Sequence, residues 1–172
     1  MVHSATIRRK DDTADSIQPQ RNRSDSPTLS ALIRINGIDA YALFDSGSTT
    51  DSLSPEFAYV AKAPRIVLED QVTLQLGCAG SRSKISYGAR VPVEICGIQQ
   101  DHYFDIVNLD RYDCIIGTPF LNAHGAVLDF QNHCIRVNGK DYPSFSYDED
   151  RQYRTQRQNR SATRKPGAPA HS

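Results

Sequence analysis

The apolar run Tyr41-Ala42-Leu43-Phe44 stops abruptly at Asp45-Ser46-Gly47, followed by Ser48-Thr49-Thr50. The run is short and partly aromatic, which is the pattern of a buried strand and not of a helix. Asp-Ser-Gly then predicts a tight turn, because Gly47 can take φ > 0 and the Asp and Ser side chains can bond local backbone. A carboxylate therefore stands at the mouth of a strand on a stiff loop. Taken alone, Asp-Ser-Gly is usually no more than a turn.

A second stretch, Asp113-Cys114-Ile115-Ile116-Gly117-Thr118-Pro119-Phe120-Leu121, lies well downstream. A buried strand, Cys114 to Ile116, meets a glycine and then a helix start. Thr118 is placed as N-cap, and Pro119 suits a first helical position, where its missing N–H costs nothing. Phe120 to His124 is the expected short helix, with Gly125 as the C′ residue that ends it.

Together the two stretches resemble the retropepsin family, the aspartic proteases of retroviruses and long-terminal-repeat retrotransposons. That family carries apolar-Asp-Ser/Thr-Gly near its start, and two apolar residues, a glycine and a short helix near its end. The form Tyr112-Asp113-Cys114-Ile115-Ile116-Gly117, followed by Phe120-Leu121, looks most like the retrotransposon branch. The resemblance spans about Leu29 to Val137.

It implies an all-β fold, a closed β-barrel equivalent to one acid-protease lobe with one short C-terminal helix. It also implies an aspartic endopeptidase with Asp45 as the catalytic residue. Two carboxylates about 3 Å apart share one proton; the charged one takes a proton from water while the neutral one polarises the scissile carbonyl. The chain has a single Asp-Ser/Thr-Gly, so the second carboxylate comes from the Asp45 of a homodimer partner. Ser46 is expected to lock the two loops across the dimer, Gly47 to allow close backbone approach, and Ile115, Ile116 and Gly117 to support the loop from beneath. The small-residue tip Gly77-Cys78-Ala79-Gly80-Ser81, between strands Val67–Leu76 and Ile85–Glu94, is expected to be the flap over an extended polypeptide substrate. No cofactor or metal is implied. Retroviral members pair an arginine after the late glycine with an acid near the catalytic loop; here Thr118 and Thr49 occupy those places. The alternative is a catalytically inactive module of the same fold, a relic of a Gag-Pol polyprotein that binds or dimerises.

Other features fill in the frame. The 172 residues predict one domain. Twenty basic and twenty acidic residues balance, so no global field points to nucleic acid or a membrane. Residues 1–27 and 146–172 are polar and are expected to be disordered, leaving 28–145 as the folded domain. Arginines recur in the second tail (Arg151, Arg154, Arg157, Arg160); an RNA-binding helix is the lesser alternative there. Asn36-Gly37 and Asn138-Gly139 are hairpin signals, Ser54-Pro55 starts a single helical turn, and Pro92 suggests an edge or bulge. Cys78, Cys96, Cys114 and Cys134 have neither zinc nor redox spacing and read as free core thiols. His102, His124 and His133 read as surface or helix-end residues, and Asp51 and Asp113 as caps or turn residues. No signal-peptide core and no apolar run of bilayer length occur, so the expectation is a cytoplasmic protein.

Overall fold

The computed structural model describes residues 19, 20, 22, 27–75 and 82–163. The expected N-terminal disorder and the flap tip therefore fall largely or wholly outside the described residues.

The fold is mostly β. Strands β1 (Ser30–Ile35) and β2 (Ile38–Phe44) form a hairpin over Asn36-Gly37. Both turn residues have positive φ, 50° and 79°, the geometry of a turn that matches the right-handed twist of its strands. Strands β5 (Arg82–Ile95) and β6 (Ile98–Ile106) repeat the device at Cys96-Gly97. Between the two hairpins lie the two-residue β3 (Ser52–Leu53), helix α1 (Pro55–Val60) and β4 (Ile66–Gln75). Ser54 caps α1 by accepting from the Phe57 amide at 3.1 Å, with Pro55 at the first turn. Strand β7 (Cys114–Ile116) leads into α2 (Thr118–Ala123).

The order β1-β2-β7-β3-β6-β5 closes on itself through Arg34↔Glu94 and Ile35↔Val93, making a six-stranded barrel. It is mixed: β2 runs parallel to β7 and β3 parallel to β6. Pro92 sits at this seam, where its carbonyl accepts the Asn36 amide at 2.8 Å just as β1 leaves β5. Strand β4 lies outside the barrel, paired with the first half of β5 as the long hairpin expected for a flap. The barrel is filled by alternate residues, among them Ile33, Ile35, Ala40, Ala42, Phe44, Leu53, Val91, Val93, Phe104, Ile116 and Phe120. Full burial of a side chain such as Phe120 contributes roughly 1.5–3 kcal/mol. After α2, strands β8 (Val127–Asp129), β9 (Cys134–Val137) and β10 (Lys140–Pro143) make a separate three-stranded sheet, with Asn138-Gly139 as its hairpin turn.

One expectation is corrected. Residues 146–172 are not a disordered tail from their start, because Tyr147–Thr163 form helix α3. Its hold on the barrel is polar. Asp150 is 6% exposed and accepts from Ser30 Oγ at 2.8 Å and from the Tyr41 hydroxyl. Arg154 pairs with the other Asp150 oxygen at 2.7 Å, and Arg157 pairs with Asp113 and donates to the Arg111 carbonyl. Tyr153 packs on Tyr41 with ring centroids 4.9 Å apart. Arg157 thus neutralises a buried carboxylate beside β7 and Arg154 the buried carboxylate of the helix itself, roles that a polar helix with no apolar stripe does not reveal in its own sequence.

Among the described residues Cys96 is half-buried and Cys114 and Cys134 are buried, all as free thiols; Cys78 lies outside them. No described helix is long and apolar enough to cross a membrane.

Candidate active site

Strands β2 and β7 lie side by side and parallel, with Phe44 opposite Ile116. Each ends at the same edge of the barrel, so Asp45-Ser46-Gly47 and Gly117 leave the sheet together. The Asp45 amide continues the ladder by donating to the Ile116 carbonyl at 2.9 Å. The chain then turns out and back within six residues and re-enters the barrel as β3, which pairs with β7 on its other side.

Within the loop the Asp45 carboxylate accepts from the Gly47 amide at 2.8 Å, and the Ser48 amide donates to the Asp45 carbonyl at 3.1 Å. Asp45 is half-buried, whereas Ser46 and Gly47 are exposed. Gly47 does not have positive φ, which corrects the expectation for the turn. Its lack of a side chain is used differently: a Cβ there would sit 3.1 Å from Asp45 Oδ1, tighter than most contacts, against the very atom that its own amide binds.

Gly117 lies directly against the loop. A Cβ on it would come within 2.4 Å of the Thr50 carbonyl oxygen and 2.5 Å of the Ser48 carbonyl oxygen. Both partners are backbone, so neither can swing aside. The next amide, Thr118, donates to the Ser48 carbonyl at 2.9 Å. Ile116 is fully buried under the loop, and Ile115 is half-buried beside it. Of the six residues singled out in the sequence around the two glycines, Asp45 is hydrogen-bonded to both Gly47 and Ile116, Gly117 meets the loop at Ser48 and Thr50, Ile115 is half-buried and Ser46 is exposed; the flap residues Gly77 to Ser81 lie outside the described residues.

Two acids carry more of this site than their sequence positions suggest. Asp51 is 4% exposed. Its Oδ1 accepts from the Gly117 amide at 2.6 Å, and its Oδ2 from the Phe120 amide at 3.1 Å and His102 Nε2 at 2.6 Å. Helix α2 has no side-chain cap of its own: its N-cap is Gly117, not Thr118 as expected. Asp51 supplies the missing acceptor from another part of the chain, satisfying amides that a helix start leaves free. His102 is correspondingly no surface residue; its side chain is 13% exposed and packs edge-on to Phe104 and Phe120. Asp113, at the far end of β7, accepts from the Tyr41 amide at 2.9 Å. Burial raises its carboxyl above the usual range, an effect opposed by the Tyr41 hydrogen bond and by Arg157. No sequence pattern marks Asp51, since its partners are 51 to 69 residues away.

A closed mixed barrel with one Asp-Ser-Gly loop braced by an Ile-Ile-Gly corner defines the aspartic-protease class in its single-lobe form. The chain belongs to the retroviral aspartyl protease family, whose pattern matches residues 16–141. Its fold is similar to the retroviral protease-like domain of Ddi1 from Leishmania major: TM-score 0.54 at 19% identity, covering 69% of this chain and 94% of that one. EIAV protease, solved with the inhibitor HBY-793, matches at TM-score 0.47 and 18% identity over 60% of this chain and 93% of its own. No curated protein sequence matches the chain.

Proposed function

We propose that this protein is an aspartic endopeptidase of retrotransposon type, active as a homodimer, with one Asp45 from each subunit forming the acid–base pair. The observation that carries this reading is the placement of Asp45. The chain's one Asp-Ser-Gly stands at an open loop, its backbone pinned to Ile116 and its neighbours pinned by Gly117 and Thr118. The loop is rigid where it meets the barrel, yet Ser46 and Gly47 face solvent, as a surface awaiting a symmetric copy would.

In the dimer two carboxylates meet at the axis. Both cannot ionise so close together, so the pair holds one proton. The ionised partner removes a proton from a water as it attacks the scissile carbon, the protonated one gives its proton to the carbonyl oxygen, and the adduct collapses with its C–N bond breaking as the amine takes the proton held by the first carboxyl. Ser46 ties each loop to its partner, and Gly47 leaves room for substrate backbone. The hairpin β4–β5 lies over an extended peptide that adds main-chain hydrogen bonds to it.

The test is cleavage of an unstructured peptide library by the purified chain across protein concentration, with sedimentation on the same samples. Activity rises faster than linearly while the dimer is forming and linearly once it is saturated, because a monomer owns half a site. A chain that dimerises and cuts nothing at any mildly acidic pH is instead a binding module of the same fold.

A further inference from the structure

We infer that Asp51, oriented by His102, is the positioning residue of the Asp45 site. This rests on the reading of Asp45 as the catalytic carboxylate. The Asp45 loop is attached to the β7–α2 corner at its two flanks and, between them, by the Thr118 amide, which donates to the Ser48 carbonyl. On the entry side, the Asp45 amide bonds the Ile116 carbonyl. On the exit side the only side chain joining the loop's end to that corner, among the described residues, is Asp51, through the Gly117 and Phe120 amides. Between the flanks, the Ser48 and Thr50 carbonyls rest on Gly117 with no space to spare. The position of Asp45 therefore depends on the position of Gly117, and Asp51 holds Gly117 from the loop's far end.

The carboxylate is buried and meets three donors. Hydrogen bonds to a charged acceptor are about twice as strong as neutral ones, and a buried acid without them is costly. His102 supplies the third. The Gln100 amide nitrogen lies 3.2 Å from His102 Nδ1 and donates to it, which places a ring proton on Nε2, facing Asp51. The ring is further held between Phe104 and Phe120. Gln100, His102, Asp51 and Gly117 thus form one chain of hydrogen bonds running from β6 to the catalytic loop. An error of about 1 Å in the placement of a reacting group costs on the order of a hundredfold in rate, so slack in this chain reaches the chemistry without any contact to substrate.

Three variants test this: Asp51→Asn, His102→Ala and His102→Gln, each assayed above the dimer-saturating concentration and normalised to the folded fraction. Asp51→Asn keeps one acceptor but loses the charge and turns an NH2 toward the Phe120 amide and His102 Nε2, which both lose their acceptor; kcat is expected to fall at least tenfold with KM within about twofold. His102→Ala is expected to lower kcat similarly. His102→Gln, which keeps an N–H directed at Asp51, is expected to restore most of it. Equal losses for Ala and Gln, or losses in folded fraction with kcat per folded dimer unchanged, would overturn the proposal. Amide exchange supplies an arm independent of cleavage. In Asp51→Asn the Gly117 amide and the 46–50 segment should exchange at least tenfold faster while the β1–β2 amides keep their protection. If the wild type cuts no peptide, the protease reading fails and this arm alone decides: unchanged exchange at Gly117 ends the positioning role.

Discussion

The Asp150 carboxylate of α3 accepts a hydrogen bond from the hydroxyl of Tyr41, a residue on β2 four positions before Asp45 in the chain. Tyr41 is fully buried although its neighbours Ala40 and Ala42 face the barrel interior, so β2 is covered on both faces: by the barrel core on one and by α3 on the other. Helix α3, polar along its sequence, thus forms part of the wall on which the Asp45 loop is built.

Loss of this contact is expected to destabilise the whole domain. Asp150→Ala leaves the Ser30 and Tyr41 hydroxyls without their buried acceptor, at about 3 kcal/mol in total. Truncation after Phe145 additionally uncovers Tyr41 and removes the Arg157 partner of Asp113, and should lower the melting temperature further or prevent folding. Chemical denaturation of both variants checks this; a midpoint unmoved by Asp150→Ala would show that α3 is not part of the folded unit.

Gly117→Ala is expected to be among the most damaging single substitutions. The added methyl meets two backbone carbonyl oxygens at 2.4 and 2.5 Å, and relief requires moving the Asp45 loop or β7. Overpacking of this kind costs typically 1–3 kcal/mol, and the displaced loop should lose activity beyond what stability explains. Denaturation midpoints and cleavage rates, measured together, give the comparison.

Stability should fall on the alkaline side. Burial pushes the Cys96 thiol up to about 11. Burial, together with a hydrogen bond to Asp105, pushes the Tyr103 hydroxyl up to about 12. Tyr41 is raised as well, by burial first and by Asp150 next. The folded state keeps these protons where the unfolded chain has released them, so it binds more protons and its stability declines with rising pH. The decline runs from 9.0 to about 11 for Cys96 and from 10.0 to about 12 for Tyr103. Urea unfolding at about pH 8 and about pH 10.5 should show the loss, and Tyr103→Phe or Cys96→Ala should reduce it. A flat profile would contradict the burial of these groups.

Much of the barrel was legible because its signals are local. Asn36-Gly37 and Asn138-Gly139 turn where their dipeptides require it, Ser54-Pro55 starts α1, and Gly125, with φ 57°, ends α2. The two motifs also led to the expectation that the corner at Gly117 lies against the Asp45 loop, which it does at Ser48 and Thr50. What escaped was made by distant partners. Asp51, His102, Asp113 and Asp150 are polar residues whose burial follows only from the closed topology, which brings β6, α2 and α3 against the strands of the loop. Helix α3 was missed for the same reason: its inward face is made of Asp150, Tyr153, Arg154 and Arg157, and hydrophobic periodicity cannot register a face held by hydrogen bonds, an ion pair and a single aromatic ring. Of the two uses expected of Gly47, positive φ is not found and a close approach, to Asp45 Oδ1, is; a glycine needed for one looks like a glycine needed for the other in sequence.

The most direct test of the account is a mixing experiment with Asp45→Asn, a nearly isosteric change that removes the titratable group. The pure variant should fold, dimerise and cut nothing. With wild type held constant in the dimer-saturated range, a roughly ninefold excess of the variant should reduce cleavage to about a tenth, the share of wild-type chains that still find a wild-type partner. The surviving activity should keep a bell-shaped pH profile on the acid side of neutrality, since one of two coupled carboxylates must carry the proton. Cleavage by pure Asp45→Asn protein, or wild-type activity undiminished by the excess, would contradict a site shared by two Asp45 residues.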